Sequence, residues 1–144
     1  MSPKSQERMF PRSYSTELLR IARGDHDSAS FLLSGLGTEG VRPENVAYLF
    51  QQAIEKALKA ALCALGHPVP LVHDLGVLIA KIPDSMDPDF GYELSGLDEY
   101  ATIRRYEEGR LVLSSEELED IAAISAGVLR WGADVLESNG IASL

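Results

Sequence analysis

An all-α fold, an antiparallel four-helix bundle with one additional short helix, is the architecture that the sequence predicts. Four stretches repeat apolar residues at three- and four-residue intervals, the period of a helix that buries one face. No stretch alternates apolar and polar residues as a pair of strands would. Aromatic residues make up only 7% of the chain, so Leu, Ile, Val and Ala must build the core, which favours closely packed helices.

The first thirteen residues, with Pro3 and Pro11 among serines and charges, carry no helical stripe and are expected to form a tail. Ser15 is a candidate N-cap for the first helix, in which Leu18, Ala22, Ala29, Leu32 and Leu33 fall near helical spacing. Gly24 weakens its middle, and "GLGTEG" ends it. The second helix runs from Pro43, suited to a first turn, to Leu65, with Gly66 and Pro68 as the stop. Val46, Phe50, Ala53, Ala57, Ala60 and Ala64 form its stripe, widened by Leu49, Leu58, Ala61, Leu62 and Leu65, an arc broad enough to touch several partners. This is the expected central helix.

"HPVPLV" is extended, because its two prolines remove donors and bias their predecessors away from the helix. "HDLGVLIAKI" then gives a short helix with Leu75, Leu78, Ile79 and Ile82 on one side. After "PDSMDPD", a weaker helix is expected to end near Tyr100, and "EEGRLVL" crosses to the last one. That last helix opens on Ser114 or Ser115 as cap, with acidic residues in the first turn where they complement the helix dipole, and stops at "SNG". Leu118, Ile121, Ser125, Val128, Gly132 and Val135 repeat along it. A chain of 144 residues fits one domain, here a bundle over residues 14–138 with a second tail at 139–144.

Thirteen Lys and Arg against 22 Asp and Glu give a net charge of −9, a field that repels polyphosphate and disfavours unaided nucleic-acid binding. A single cysteine, Cys63, rules out an intrachain disulfide. Without an apolar leader or a run approaching the ~20 residues that span a bilayer, a cytoplasmic location and no membrane partner are expected. The three histidines, His26, His67 and His73, lack metal-ligand spacing, and no glycine run is followed by the Lys-Ser/Thr of a phosphate loop. Neither metal nor cofactor is expected.

Two motifs admit both a structural and a functional reading. In "HDL", Asp74 suits a helix's first turn and His73 a loop hydrogen bond, or His73 serves as an acid or base. In "TIRRY", Arg104, Arg105 and Tyr106 suit phosphate pairing and base stacking, or Arg105 fastens the loop to an acid such as Glu55.

The order "AYLFQQAIEKALKAAL", "HDLGVLI", "LDEY", "RRY" and a final amphipathic helix resembles the HEPN family of small all-helical domains. The family's central motif is close to Phe-His-x-Gln-Gln-Ala-x-Glu-Lys-x-Leu-Lys-Ala, matched by Ala47 to Leu62. Its Thr-His-Asp-Leu is answered by Val72, His73, Asp74 and Leu75, and its Ala-Arg-Tyr-Pro by Arg104, Arg105, Tyr106 and Glu107. The likeness covers roughly residues 15 to 137. It implies four or five helices, usually a homodimer, often encoded beside a minimal nucleotidyltransferase. Family members have been linked to nucleotide binding, and many are ribonucleases or toxins of toxin–antitoxin and defence systems.

Two departures limit the transfer. Ribonuclease members carry Arg, four to six residues, then His near the start of the last helix, whereas no histidine follows His73 here and the matching spacing, Arg20 to His26, lies in the first helix. Leu49 stands where the family commonly has His. The expectation is a non-catalytic homodimer that binds a nucleotide or a nucleotidyltransferase partner through Gln51, Gln52, Lys56, His73, Asp74, Arg104, Arg105 and Tyr106, with Glu55 and Arg105 as a structural pair. Lys56 and the arginines would hold phosphate, the glutamines read polar edges and Tyr106 stack. A ribonuclease using His26 or His73 as general base, and a helical interaction scaffold, are the alternatives.

Overall fold

The structure is a computed structural model that describes residues 6–86, 88, 97 and 113–143. It is all-α, as expected. Three long helices, α1 (Ser15–Ser34), α2 (Pro43–Ala64) and α4 (Ser115–Ser138), pack together, and the short α3 (Leu75–Ala80) covers one side of α2. The expected weaker helix near Tyr100 and the crossing "EEGRLVL" lie outside the described residues, apart from Leu97 and Leu113, which are buried in the core.

Sixteen of the 22 residues of α2 are buried, which makes it the central helix. Its Ala53, Ala57, Ala60, Ala61 and Ala64 are fully covered, and their small size lets α1 and α4 come close. The tightest approach is at Gly132 of α4. A Cβ built there would lie 3.4 Å from Leu19 Cδ1 and 3.6 Å from the backbone oxygen of Ala57, so three helices meet over one glycine.

The helix ends are closed by local chemistry. Ser114 caps α4 in a reciprocal box, its Oγ accepting from Glu117 N at 3.1 Å while the Glu117 carboxylate reaches back to Ser114 N. At the other end of α4, Gly140 adopts φ +74° and donates to Glu137 O, while Ile141 N donates to Leu136 O. The end of α2 repeats this pattern, with Gly66 at φ +77° donating to Cys63 O and His67 N donating to Leu62 O. Both are Schellman turns, which require the left-handed conformation that glycine adopts without strain.

Ser15 is not the cap of α1. Tyr14 occupies that position in helical conformation, led in by a 3-10 turn at Arg12–Tyr14, and the Ser15 hydroxyl donates to Arg12 O at 2.6 Å. Residues 6–13, read from sequence as part of a tail, make defined contacts. Glu7–Arg8 (β1) pairs antiparallel with Val69–Pro70 (β2), with Glu7 opposite Pro70 and Arg8 opposite Val69. A pairing of two residues per strand is too short for any alternation to register in the sequence. It forms where the prolines already hold "HPVP" extended.

Arg12 joins the two Schellman turns. Its Nε donates to Ala64 O at 2.8 Å and its Nη2 to Asn139 O at 3.1 Å. One guanidinium thus satisfies end carbonyls of α2 and α4 together and places positive charge at the negative ends of both dipoles, which shows that these two helices run parallel and α1 antiparallel to them. Residues 139–143, also read as a tail, lie at the same end, where Thr16 Oγ1 donates to Ala142 O at 2.8 Å and Ile141 packs on the core. Arg12→Ala is expected to lower stability by about 1–2 kcal/mol, with Arg12→Lys intermediate because an ammonium lacks the fork that spans both carbonyls. Urea denaturation of the three proteins measures this.

Candidate functional site

Gln51, Glu55 and Lys59 stand four residues apart on α2 and so share one face of it. That face meets the chain crossing from β2 to α3. Gln51 Nε2 donates to the backbone oxygen of His73 at 3.3 Å, and Gln52 Nε2 donates to Gln51 Oε1 at 2.9 Å. Glu55 takes two partners, His73 Nδ1 on Oε1 at 2.9 Å and Lys59 Nζ on Oε2 at 3.2 Å. Asp74, the next residue, caps α3 by accepting from Val77 N at 3.2 Å.

The exposures of this group are uneven. The Glu55 side chain is 3% exposed and Lys59 13%, whereas His73 is 67% exposed. A buried charge is tolerated only when it is paired, and Glu55 is, to one permanent cation and one imidazole. An ionised carboxylate only accepts, so the ring proton of neutral His73 sits on Nδ1 and the lone pair on Nε2. The result is an exposed imidazole whose orientation is set from inside the bundle.

The remaining residues expected at the site are placed differently. Lys56 turns to α1, where its Nζ pairs with Asp25 Oδ2, and it does not join the His73 group. One step along a helix rotates a side chain by about 100°, which separates Lys56 from the row of its neighbour Glu55. Arg104, Arg105 and Tyr106 lie outside the described residues, and the Glu55–Arg105 pairing with them.

A second polar pair lies between α1 and α4, with His26 only partly buried. His26 Nδ1 lies 2.8 Å from Ser125 Oγ, and its ring packs edge-on against Phe50 at 5.3 Å between centroids. Ser125 is fully buried in the middle of the apolar stripe of α4. The signal in the sequence was a hydroxyl recurring in an otherwise apolar row, with nothing local to name its partner. Arg20, which has the ribonuclease spacing to His26, is engaged elsewhere, its guanidinium forked onto Glu17 at 2.9 Å to each oxygen.

Burial lowers the pKa of His26 from 6.5, an effect partly opposed by the charge of Asp27. The folded chain therefore takes up this proton less readily than the unfolded chain. Stability contributed here is complete above the unfolded imidazole's range and is lost as pH falls through 6.5 toward the lowered folded value. The difference in urea midpoint between the native protein and His26→Gln is expected to shrink or reverse between about pH 7.5 and pH 5.5.

The fold and this face define a class: a small helical domain whose central helix carries a buried polar row against a histidine-bearing crossover. Residues 15–136 match the family model described as HEPN domain. The chain belongs to the HEPN family. Among solved structures it is similar to the crystal structure of TT1696 from Thermus thermophilus, at 25% identity and a TM-score of 0.72, over 86% of this chain and 99% of that one. A search of curated proteins found no match. No helix among the described residues is long and apolar enough to cross a membrane.

Proposed function

We propose that this chain is a non-catalytic HEPN domain that acts as a homodimer and binds a nucleotide, a minimal nucleotidyltransferase partner, or both, in a cytoplasmic system of the toxin–antitoxin or defence type. The observation that carries the reading is the Glu55–His73 pair, in which a buried carboxylate spends a hydrogen bond on orienting an exposed ring. A purely structural clasp would gain as much from a covered partner. The non-catalytic part rests on the absence of any histidine after His73 in the sequence and on the separate engagements of Arg20 and His26.

Calorimetric titration with ATP and related nucleotides tests the ligand. Heat that disappears in His73→Ala supports the reading. Absence of both heat and thermal shift up to about millimolar ligand, weaker than the ~4 kcal/mol of a useful site, removes it. Incubation with total RNA beside a His26→Ala, His73→Ala double variant tests the remainder, since cleavage by the native protein that is lost in the variant would make the chain a ribonuclease. Sedimentation of the native protein reports the homodimer.

A further inference from the structure

Two features of α1 are not explained by packing among the described residues. Gly24 stands in the middle of a 20-residue helix, where glycine lowers helix stability, yet a Cβ built on it meets no described atom within 4 Å. The missing side chain makes room for nothing inside the bundle. Phe31 is 78% exposed, the most exposed large apolar side chain among the described residues. Seven residues separate the two, so they lie two turns, about 10 Å, apart on the same face of the helix.

That face is continuous and open. Arg20, Gly24, Asp27, Ser28, Phe31 and Ser34 fall along it, and all six are exposed. From Gly24 to Ser34 it carries one charge, Asp27, and one bulky side chain, Phe31.

A protruding ring and a bare stretch of backbone on one face are complementary to themselves. When a second α1 lies antiparallel on the first, with the two-fold axis passing between positions 27 and 28, Phe31 of each copy comes opposite Gly24 of the other. One symmetry operation then fills both notches, and the absent Cβ lets each ring rest on the facing backbone. A parallel pairing would set ring against ring and leave both notches empty.

Charge agrees with this register. It places Arg20, whose surface pair with Glu17 leaves it 59% exposed, against the C-terminal end of the other helix at Ser34 and Gly35. That end is the negative pole of the helix dipole, has no basic residue in its own last turn and is followed by the exposed Glu39. The opposing contribution on this face comes from the two Asp27 carboxylates, which meet on one flank near the axis and repel weakly because both are exposed.

We infer that the outer face of α1 is where two copies of this chain meet, antiparallel, with Phe31 of each seated over Gly24 of the other. This rests on the reading that the chain acts as a homodimer, and it assigns the dimer its surface and its register.

Equilibrium sedimentation of the full chain over about 1–100 µM is the test, a range suited to a contact smaller than the ~1,600 Å² of a standard interface. Phe31→Ser, at a position too exposed to matter to the fold, is expected to weaken the dimer about tenfold or more. Gly24→Gln is expected to weaken it as much while the helix content by circular dichroism stays the same or rises, because glutamine is the better helix former and the space around it is open. A variant that merely misfolded would lose both. Asp27→Asn is expected to tighten the dimer by removing the repulsion at the axis. A dimer whose affinity ignores both Phe31→Ser and Gly24→Gln overturns this face and leaves the homodimer reading standing, and one that loosens in Asp27→Asn overturns the register. A native chain that stays monomeric throughout the range removes the homodimer and this surface together.

Discussion

Gly132→Leu is expected to destabilise the bundle by about 3 kcal/mol or more and to yield a chain largely unfolded near 37 °C, whereas Gly132→Ala stays within about 1 kcal/mol of the native protein. A first carbon at this position meets Leu19 Cδ1 at 3.4 Å and Ala57 at 3.6 and 3.8 Å, ordinary van der Waals distances. Alanine therefore fits, and its better helix propensity offsets the slight crowding. Every further carbon has to enter the volume already held by Leu19 of α1 or by the backbone of α2, and a backbone cannot rotate away. Thermal denaturation of the two variants checks the contrast. A leucine variant melting within a few degrees of the native protein would show that α4 does not pack as tightly on α1 and α2 as described.

Glu55→Ala is expected to lower stability by about 3 kcal/mol, because it leaves the Lys59 ammonium, 13% exposed, without its carboxylate. The cost comes from the stranded charge more than from the lost attraction. Replacing both residues by methionine is accordingly expected to recover most of the loss, since the alkyl chains of a buried pair pack well once neither charge remains. Urea denaturation of the single and double variants forms the cycle, and a double variant no more stable than Glu55→Ala would contradict this account. The same substitution frees the His73 ring, so its NMR signals should broaden or shift even where the fold survives.

What the sequence disclosed depended on how far apart the interacting residues lie. The long helices were legible because their signals are local. The apolar repeat, Pro43 at the first turn, the serine cap with its acidic first turn at the head of α4 and the glycines at 66 and 140 all act within five residues. Ser15 misled because a serine before a helix signals a cap only when its own backbone is extended, and here the chain has already coiled at Arg12–Tyr14. Arg12 reaches partners 52 and 127 positions away, and His26 one 99 away, and no pattern of composition or period names such partners.

The candidate face was legible only in part. Polar residues on an otherwise covered helix drew notice to Gln51, Gln52 and Glu55, and the family resemblance supplied the segment against which they lie. Lys56 belongs to the same sequence motif, but rotation about the helix axis hands it to Asp25. Adjacency in a motif and adjacency in space separate at this residue.

The Arg12 clasp also supplies a gauge of its own opening. Cys63, the chain's single cysteine, is 1% exposed and donates its thiol to Pro11 O at 3.2 Å, directly beneath the segment that Arg12 pins. Burial holds the thiol's pKa up, so it is poorly ionised as well as covered. A thiol-reactive dye can therefore label the protein only in moments when residues 11–15 lift away. Under conditions where reclosure outpaces reaction, the labelling rate relative to a free thiol gives the free energy of that local excursion, separately from the free energy of unfolding the bundle.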